Sequence, residues 1–167
     1  DWLPKILETG GLSPAIAGFG ASIPLLIGIP TVLFLPRSVA PRLRGRIVSF
    51  LSLGIAIALA VVVTGSGSRL IGGLVFYGLC YSSVTPLLVL VLMDMPEVGS
   101  RHMGSAAGLY FCISEIGGFA GPFIVGAIRD LTGSFFAGAF FFVAVELAVA
   151  IMAFSLKIPP ASDTKTS

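Results

Sequence analysis

Long stretches of this 167-residue chain carry no charge at all. None occurs from Thr9 to Pro36, from Ile47 to Ser68 or from Leu70 to Met93. Between His102 and Ile128 the only acidic or strongly basic side chain is Glu115, and between Leu131 and Leu156 it is Glu146. An α-helix rises about 1.5 Å per residue, so about 20 apolar residues cross a hydrocarbon core of roughly 30 Å. All five runs are long enough. Composition agrees: 56% of residues are hydrophobic and only 11% charged, against about 25% in soluble domains. Too few charges remain to coat a globule, and the bilayer is the natural solvent.

The runs predict an all-α membrane protein, with spanning helices at about 13–36, 46–65, 69–93, 104–128 and 135–156. Residues 1–156 form one helical bundle, with Asp1–Glu8 as the frayed end of a preceding helix. The polar, Pro- and Ser-rich 157–167 reads as a disordered tail. A strand reading fails, because the runs lack strict alternation and outer-membrane strands need only about 10 residues. Pro24, Pro30, Pro86 and Pro122 lie inside the runs. A membrane bundle tolerates them, because neighbouring helices re-satisfy the freed carbonyls.

Five spans place the loop holding Arg37, Arg42, Arg44 and Arg46 on one side, with Arg101, Lys157 and Lys165. The other side holds Lys5, Arg69 and Arg129. The excess of Lys and Arg predicts a C-terminus in the cytoplasm and an N-terminus outside, and the expected location is the plasma (cell inner) membrane. Every basic residue lies in a loop or at a helix end, which argues for a neutral or cationic solute.

Enzymatic chemistry is not expected. Cys80 and Cys112 fall in apolar runs and read as small packing residues. No zinc-type Cys/His spacing, Walker loop or nucleophile motif occurs. No metal, cofactor or nucleic-acid partner is expected.

Three helices carry candidate functional residues. Gly104, Gly108, Gly118, Pro122 and Gly126 fall within about 60° of Glu115 on a helical wheel of about 100° per residue. That face of the fourth helix has almost no side chains apart from one carboxylate. It permits close helix packing, as Gly117 and Gly121 also do, and Pro122 permits a bend. An ionised carboxylate at mid-membrane is costly. Glu115 either faces a central pathway, where it exchanges protons or meets a cationic solute, or stays protonated and hydrogen-bonded inside the bundle. Tyr77, Tyr81 and Thr85, spaced by four, line one side of the third helix. Their hydroxyls either touch solute or bond backbone carbonyls. Glu146 reads either as a packed, protonated acid or as a partner for a polar group elsewhere.

The stretch "SRHMGSAAGLYFCISEIGGFAGPFIVGAIRDLTGSFFAGAFFF", preceded by the loop "PRSVAPRLRGR" and two helices, resembles the C-terminal half of a major facilitator superfamily transporter. The five helices resemble the eighth to twelfth of that family's twelve, and "DWLPKILETGGLSP" the exit of the seventh. Arg42, Arg44, Gly45 and Arg46 resemble the family's cytoplasmic loop motif, with Arg42 near the place of the motif's Asp. Gly117, Gly121, Pro122 and Gly126 resemble its glycine–proline motif, with Val125 in place of one glycine. An N-terminal half is the competing register, and the polar ending after the last helix favours the C-terminal one.

The resemblance implies secondary transport of a small solute by alternating access, with Glu115 as the candidate for proton coupling and Tyr77, Tyr81 and Thr85 lining the cavity. It also implies a partner N-terminal half upstream of Asp1. The alternative is a helical interaction module that assembles with a separate partner.

Overall fold

The computed structural model describes residues 3–9 and 11–155. The tail expected at 157–167, with Lys157 and Lys165, lies outside the described residues. A short helix, α1 (Leu3–Thr9), leads into five long ones: α2 (Pro14–Ser38), α3 (Arg44–Thr64), α4 (Ser68–Asp94), α5 (Gly99–Thr132) and α6 (Phe135–Ser155). All five are long and apolar enough to cross a membrane, and no strand occurs among the described residues.

Local chemistry sets the ends. Ser13 caps α2, its Oγ accepting from the Ile16 N–H at 3.5 Å, with Pro14 at the first helical position. Gly133, at φ 70°, closes α5 in a left-handed conformation, its N–H donating to Arg129 O at 2.7 Å. The arginine-rich loop is nearly absent as a loop. Helix α2 runs on through Arg37, a single 3-10 turn spans Pro41–Leu43, and α3 begins at Arg44. Pro24, Pro30, Pro36, Pro86 and Pro122 all sit inside continuous helices.

Hydroxyls in the spans return their protons to the helix. Thr31 donates to Gly28 O at 2.8 Å, Thr64 to Ala60 O at 2.7 Å and Thr132 to Ile128 O at 2.7 Å. Ser49 instead crosses between helices, donating to Ala150 O of α6 at 2.6 Å.

Helix α3 is the most buried of the five, and α2 and α5 the least. It packs on α4 and α6, while α2 packs on α4 and α5 on α6. Two small apolar clusters mark the seams. One joins Leu7, Ala17, Val62 and Leu74, and the other joins Val48, Leu87 and Ala153. Elsewhere glycine sets the spacing. A side chain at Gly28 would meet Ser82, and one at Gly78 would meet the Pro24 backbone. Gly54 lies against Cys80 Sγ, Gly73 against Val62 and Gly138 against Val125. In lipid, where burial of apolar surface gives helices no reason to associate, such close approach supplies the attraction. Large apolar side chains point outward, including Phe19, Phe50, Phe119, Leu131 and Phe154.

Candidate functional site

The C-terminal halves of α2 and α4, with Phe111 of α5, enclose a cleft of about 720 Å³. Its walls are apolar, formed by residues such as Val32, Pro36, Val89 and Leu90, and its polar groups are Thr85, Arg37 and Arg44. The arginines sit at its helix-end rim because α2 ends and α3 begins there. Arg44 Nη1 donates to Asp94 Oδ2 at 2.6 Å and to Leu90 O at 3.4 Å. The pair is mostly buried, with side-chain exposures of 14% and 19%, and ties the start of α3 to the end of α4. Arg44 Nε is buried without a partner among the described residues. Arg37 is exposed and makes no hydrogen bond or ion pair to a described residue. The cleft thus offers an apolar body, one hydroxyl and one uncompensated guanidinium.

Asp94 escaped the sequence reading. Its signal was a lone acid ending a span on the same side as four arginines. Of the other loop-motif residues, Gly45 is buried while Arg42 and Arg46 are exposed. Arg37 and Arg44 stand at helix ends, and both side chains line the cleft.

Tyr77, Tyr81 and Thr85 share a side of α4 but not an environment. The two tyrosine rings stack, centroids 5.2 Å apart and planes 12° from parallel. Tyr77 is half-buried and Tyr81 exposed. Thr85 alone of the three lines the cleft.

Helix α5 differs most from expectation. It runs from Gly99 to Thr132 rather than from 104 to 128, about 50 Å of helix for its 34 residues. Its glycine face does not turn into this chain's own bundle. Gly104, Gly108, Gly117, Gly118 and Gly126 meet nothing within 4 Å. Glu115, on the same face, is exposed and has no hydrogen-bond or ion-pair partner among the described residues. The side that packs is about 80–120° round the helix from Glu115, where Gly121 touches Phe142 and Val125 seats against Gly138 of α6. Cys112 and His102 are exposed as well, whereas Cys80 is buried at the α3–α4 seam.

A bundle of five helices long and apolar enough to cross a membrane, with polar groups gathered in a cleft and along one open helix, is that of a multi-pass membrane protein. Named relatives agree. A quinolone resistance transporter of Acinetobacter baumannii is 34% identical over 155 residues, covering 87% of this chain and 34% of the relative. A protein of Agrobacterium vitis named as a tartrate transporter is 28% identical over 173 residues, covering 99% of this chain and 37% of the relative. Human monocarboxylate transporter 11 is 34% identical over 99 residues, covering 57% of this chain and 21% of the relative. No family model matches the chain, and no solved structure matches it. The chain belongs to the major facilitator superfamily. It spans about a third of the length of the bacterial relatives.

Proposed function

We propose that this chain is the C-terminal half of a secondary transporter that moves a small solute across the cell inner membrane by alternating access, its C-terminus cytoplasmic. One observation carries the reading. The cleft of Thr85 and Arg37, the exposed ring of Tyr81 and the open glycine face with Glu115 belong to α4, α2 and α5, and each is left open by the described residues. A second bundle laid over these faces would enclose a pathway between two halves, as alternating access requires. The loop and helix-end arginines support the cytoplasmic placement of the α2–α3 junction. Relatives named for quinolone resistance, tartrate and monocarboxylates support a small organic solute. The unpartnered face of α5 also supports a second reading, in which this chain assembles with a separately made bundle. Crosslinking and mass measurement in detergent separate the two: a discrete assembly active in liposomes favours the second.

Glu115 is the proposed coupling acid. In proteoliposomes holding the transporter that contains this chain, a pH difference of one unit then drives about tenfold accumulation, equal to the roughly 1.4 kcal/mol carried by one proton. Glu115→Gln should abolish that dependence while leaving solute equilibration intact. Unchanged pH-driven accumulation in the variant would refute the assignment.

A further inference from the structure

The cleft between α2, α4 and α5 gathers polar groups whose bonding capacity the described residues leave unused. Thr31, Thr64 and Thr132 return their protons to their own helices. Thr85 does not. It is exposed, lines the cleft and makes no hydrogen bond to a described residue. The two arginines differ in the same way. Arg44 is committed to Asp94 and to Leu90 O, and its charge is answered there. Arg37 is exposed and has no partner among the described residues. No acidic side chain lines the cleft. Arg37 and the Arg44–Asp94 pair together leave one net positive charge.

Position along the helices orders these groups. Helices α2 and α4 run in the same direction, so Arg37 and Leu90 both stand near the C-terminal ends. Arg44 reaches Leu90 O. Thr85 lies about 7.5 Å deeper along α4, at about 1.5 Å per residue. Val32, Leu33, Val89, Leu90 and Phe111 supply apolar walls. The volume of about 720 Å³ lies within the range of small-molecule sites, about 300–1,000 Å³. Val32, Leu33 and Phe111 are themselves exposed, so the cleft is open on one side. The site rests on the same second bundle that alternating access requires to cover that side. Once covered, Arg37 has to be answered. An unpaired charge among apolar walls is costly, and an anion beside it is attracted more strongly than in water.

We propose that the cleft binds a small organic monoanion as its solute. The carboxylate lies on Arg37, the apolar body along α2 and α4, and a hydrogen-bonding group at the far end on Thr85. Arginine suits the first contact, because its planar fork donates to both oxygens of a carboxylate. One net positive charge matches one negative charge, and a dianion would leave a charge unpaired beside apolar walls. An anion stands against the neutral or cationic solute expected from the loop placement of the arginines. The difference arises because a long side chain at a helix end carries its charge away from its own backbone position.

Equilibrium binding to the transporter that contains this chain, in phosphatidylcholine nanodiscs, tests the site. The probes share one body: hexanoate, neutral hexanamide and ω-hydroxyhexanoate. Empty nanodiscs give the background partitioning. Hexanoate should bind about tenfold more tightly than hexanamide, the scale of a hydrogen bond to a charged group. Arg37→Gln should remove that advantage and leave hexanamide binding as it was, which also reports that the variant is folded. The ω-hydroxyl should add about threefold in the wild type and nothing in Thr85→Val. Phosphatidylglycerol in the disc should leave the ratio between wild type and Arg37→Gln unchanged. Loss of that ratio would assign Arg37 to lipid headgroups and overturn the proposal. So would equal binding of hexanoate and hexanamide, full hexanoate binding by Arg37→Gln, or a hydroxyl advantage that survives Thr85→Val. Binding is read without transport, so the two readings fail separately. Hexanoate held through Arg37 but never moved across a liposome membrane would uphold the site and sink alternating access. Transport of other solutes by a protein that fails these binding tests would do the reverse.

Discussion

Gly78→Ala is expected to destabilise the bundle by about 3 kcal/mol, the upper part of the range for overpacking a well-packed site. A methyl group at Gly78 would lie 2.5 Å from Pro24 Cα and 2.9 Å from the Pro24 carbonyl carbon. These are backbone atoms of α2 and cannot swing aside, so the two helices must separate along their crossing. Gly28 occupies the reciprocal position, where a Cβ would stand 2.6 Å from Ser82 Cβ. Gly28→Ala should cost a similar amount, reduced where the serine can change rotamer. The double variant should cost less than the sum, since the first substitution already opens the crossing. Gly118→Ala is the control. It is the same chemical change on a helix face with nothing within 4 Å, and it should be neutral or stabilising by up to about 1 kcal/mol through helix propensity. Thermal unfolding in a mild detergent reads all four. Equal losses for Gly78→Ala and Gly118→Ala would refute the proposed close crossing of α2 and α4.

That contrast explains what the sequence could and could not convey. The five spans were legible because bilayer thickness imposes a minimum length on every charge-free run, a constraint that needs no tertiary knowledge. Their ends were less so. Arg101 and the Arg129–Asp130 pair read as boundaries of α5, yet the helix continues through them, because charge ends a hydrophobic span without ending a helix. Gly133, which adopts a left-handed conformation, is the true stop. The glycines were legible as small residues but not as contacts. A missing side chain fits a touching neighbour and an empty face equally well, and the conspicuous glycines of α5 drew the packing assignment. The quieter spacing of four in Pro24–Gly28 and Gly78–Ser82 marks the actual crossing. The spacing of four puts the hydroxyl row of α4 on one side, where Tyr77 and Tyr81 stack. Its division between a stacked pair and a cleft residue depends on α2 and α5, which a pattern along one helix cannot contain.

The Arg44–Asp94 pair supplies the other large effect, and its asymmetry is informative. Removing Asp94 leaves a guanidinium whose Nε is already buried without a partner and whose remaining contact is Leu90 O at 3.4 Å. Breaking a buried pair from one side costs about 3–5 kcal/mol, and with exposures of 14% and 19% the lower end applies, so Asp94→Ala should cost roughly 3 kcal/mol. Arg44→Leu should cost less, about 1–2 kcal/mol, because the abandoned Asp94 is the more exposed partner, at 19% against 14%. An apolar replacement of both, Arg44→Leu with Asp94→Leu, should recover most of the loss, since it removes two charges from a mostly buried place. Added salt should change these differences little, because screening acts weakly on buried pairs. The wild type, Arg44→Leu, Asp94→Leu and the double variant form a double-mutant cycle. Additive costs would mean that the two groups stand together without holding α3 and α4, and the rim of the cleft would then owe its shape to packing alone.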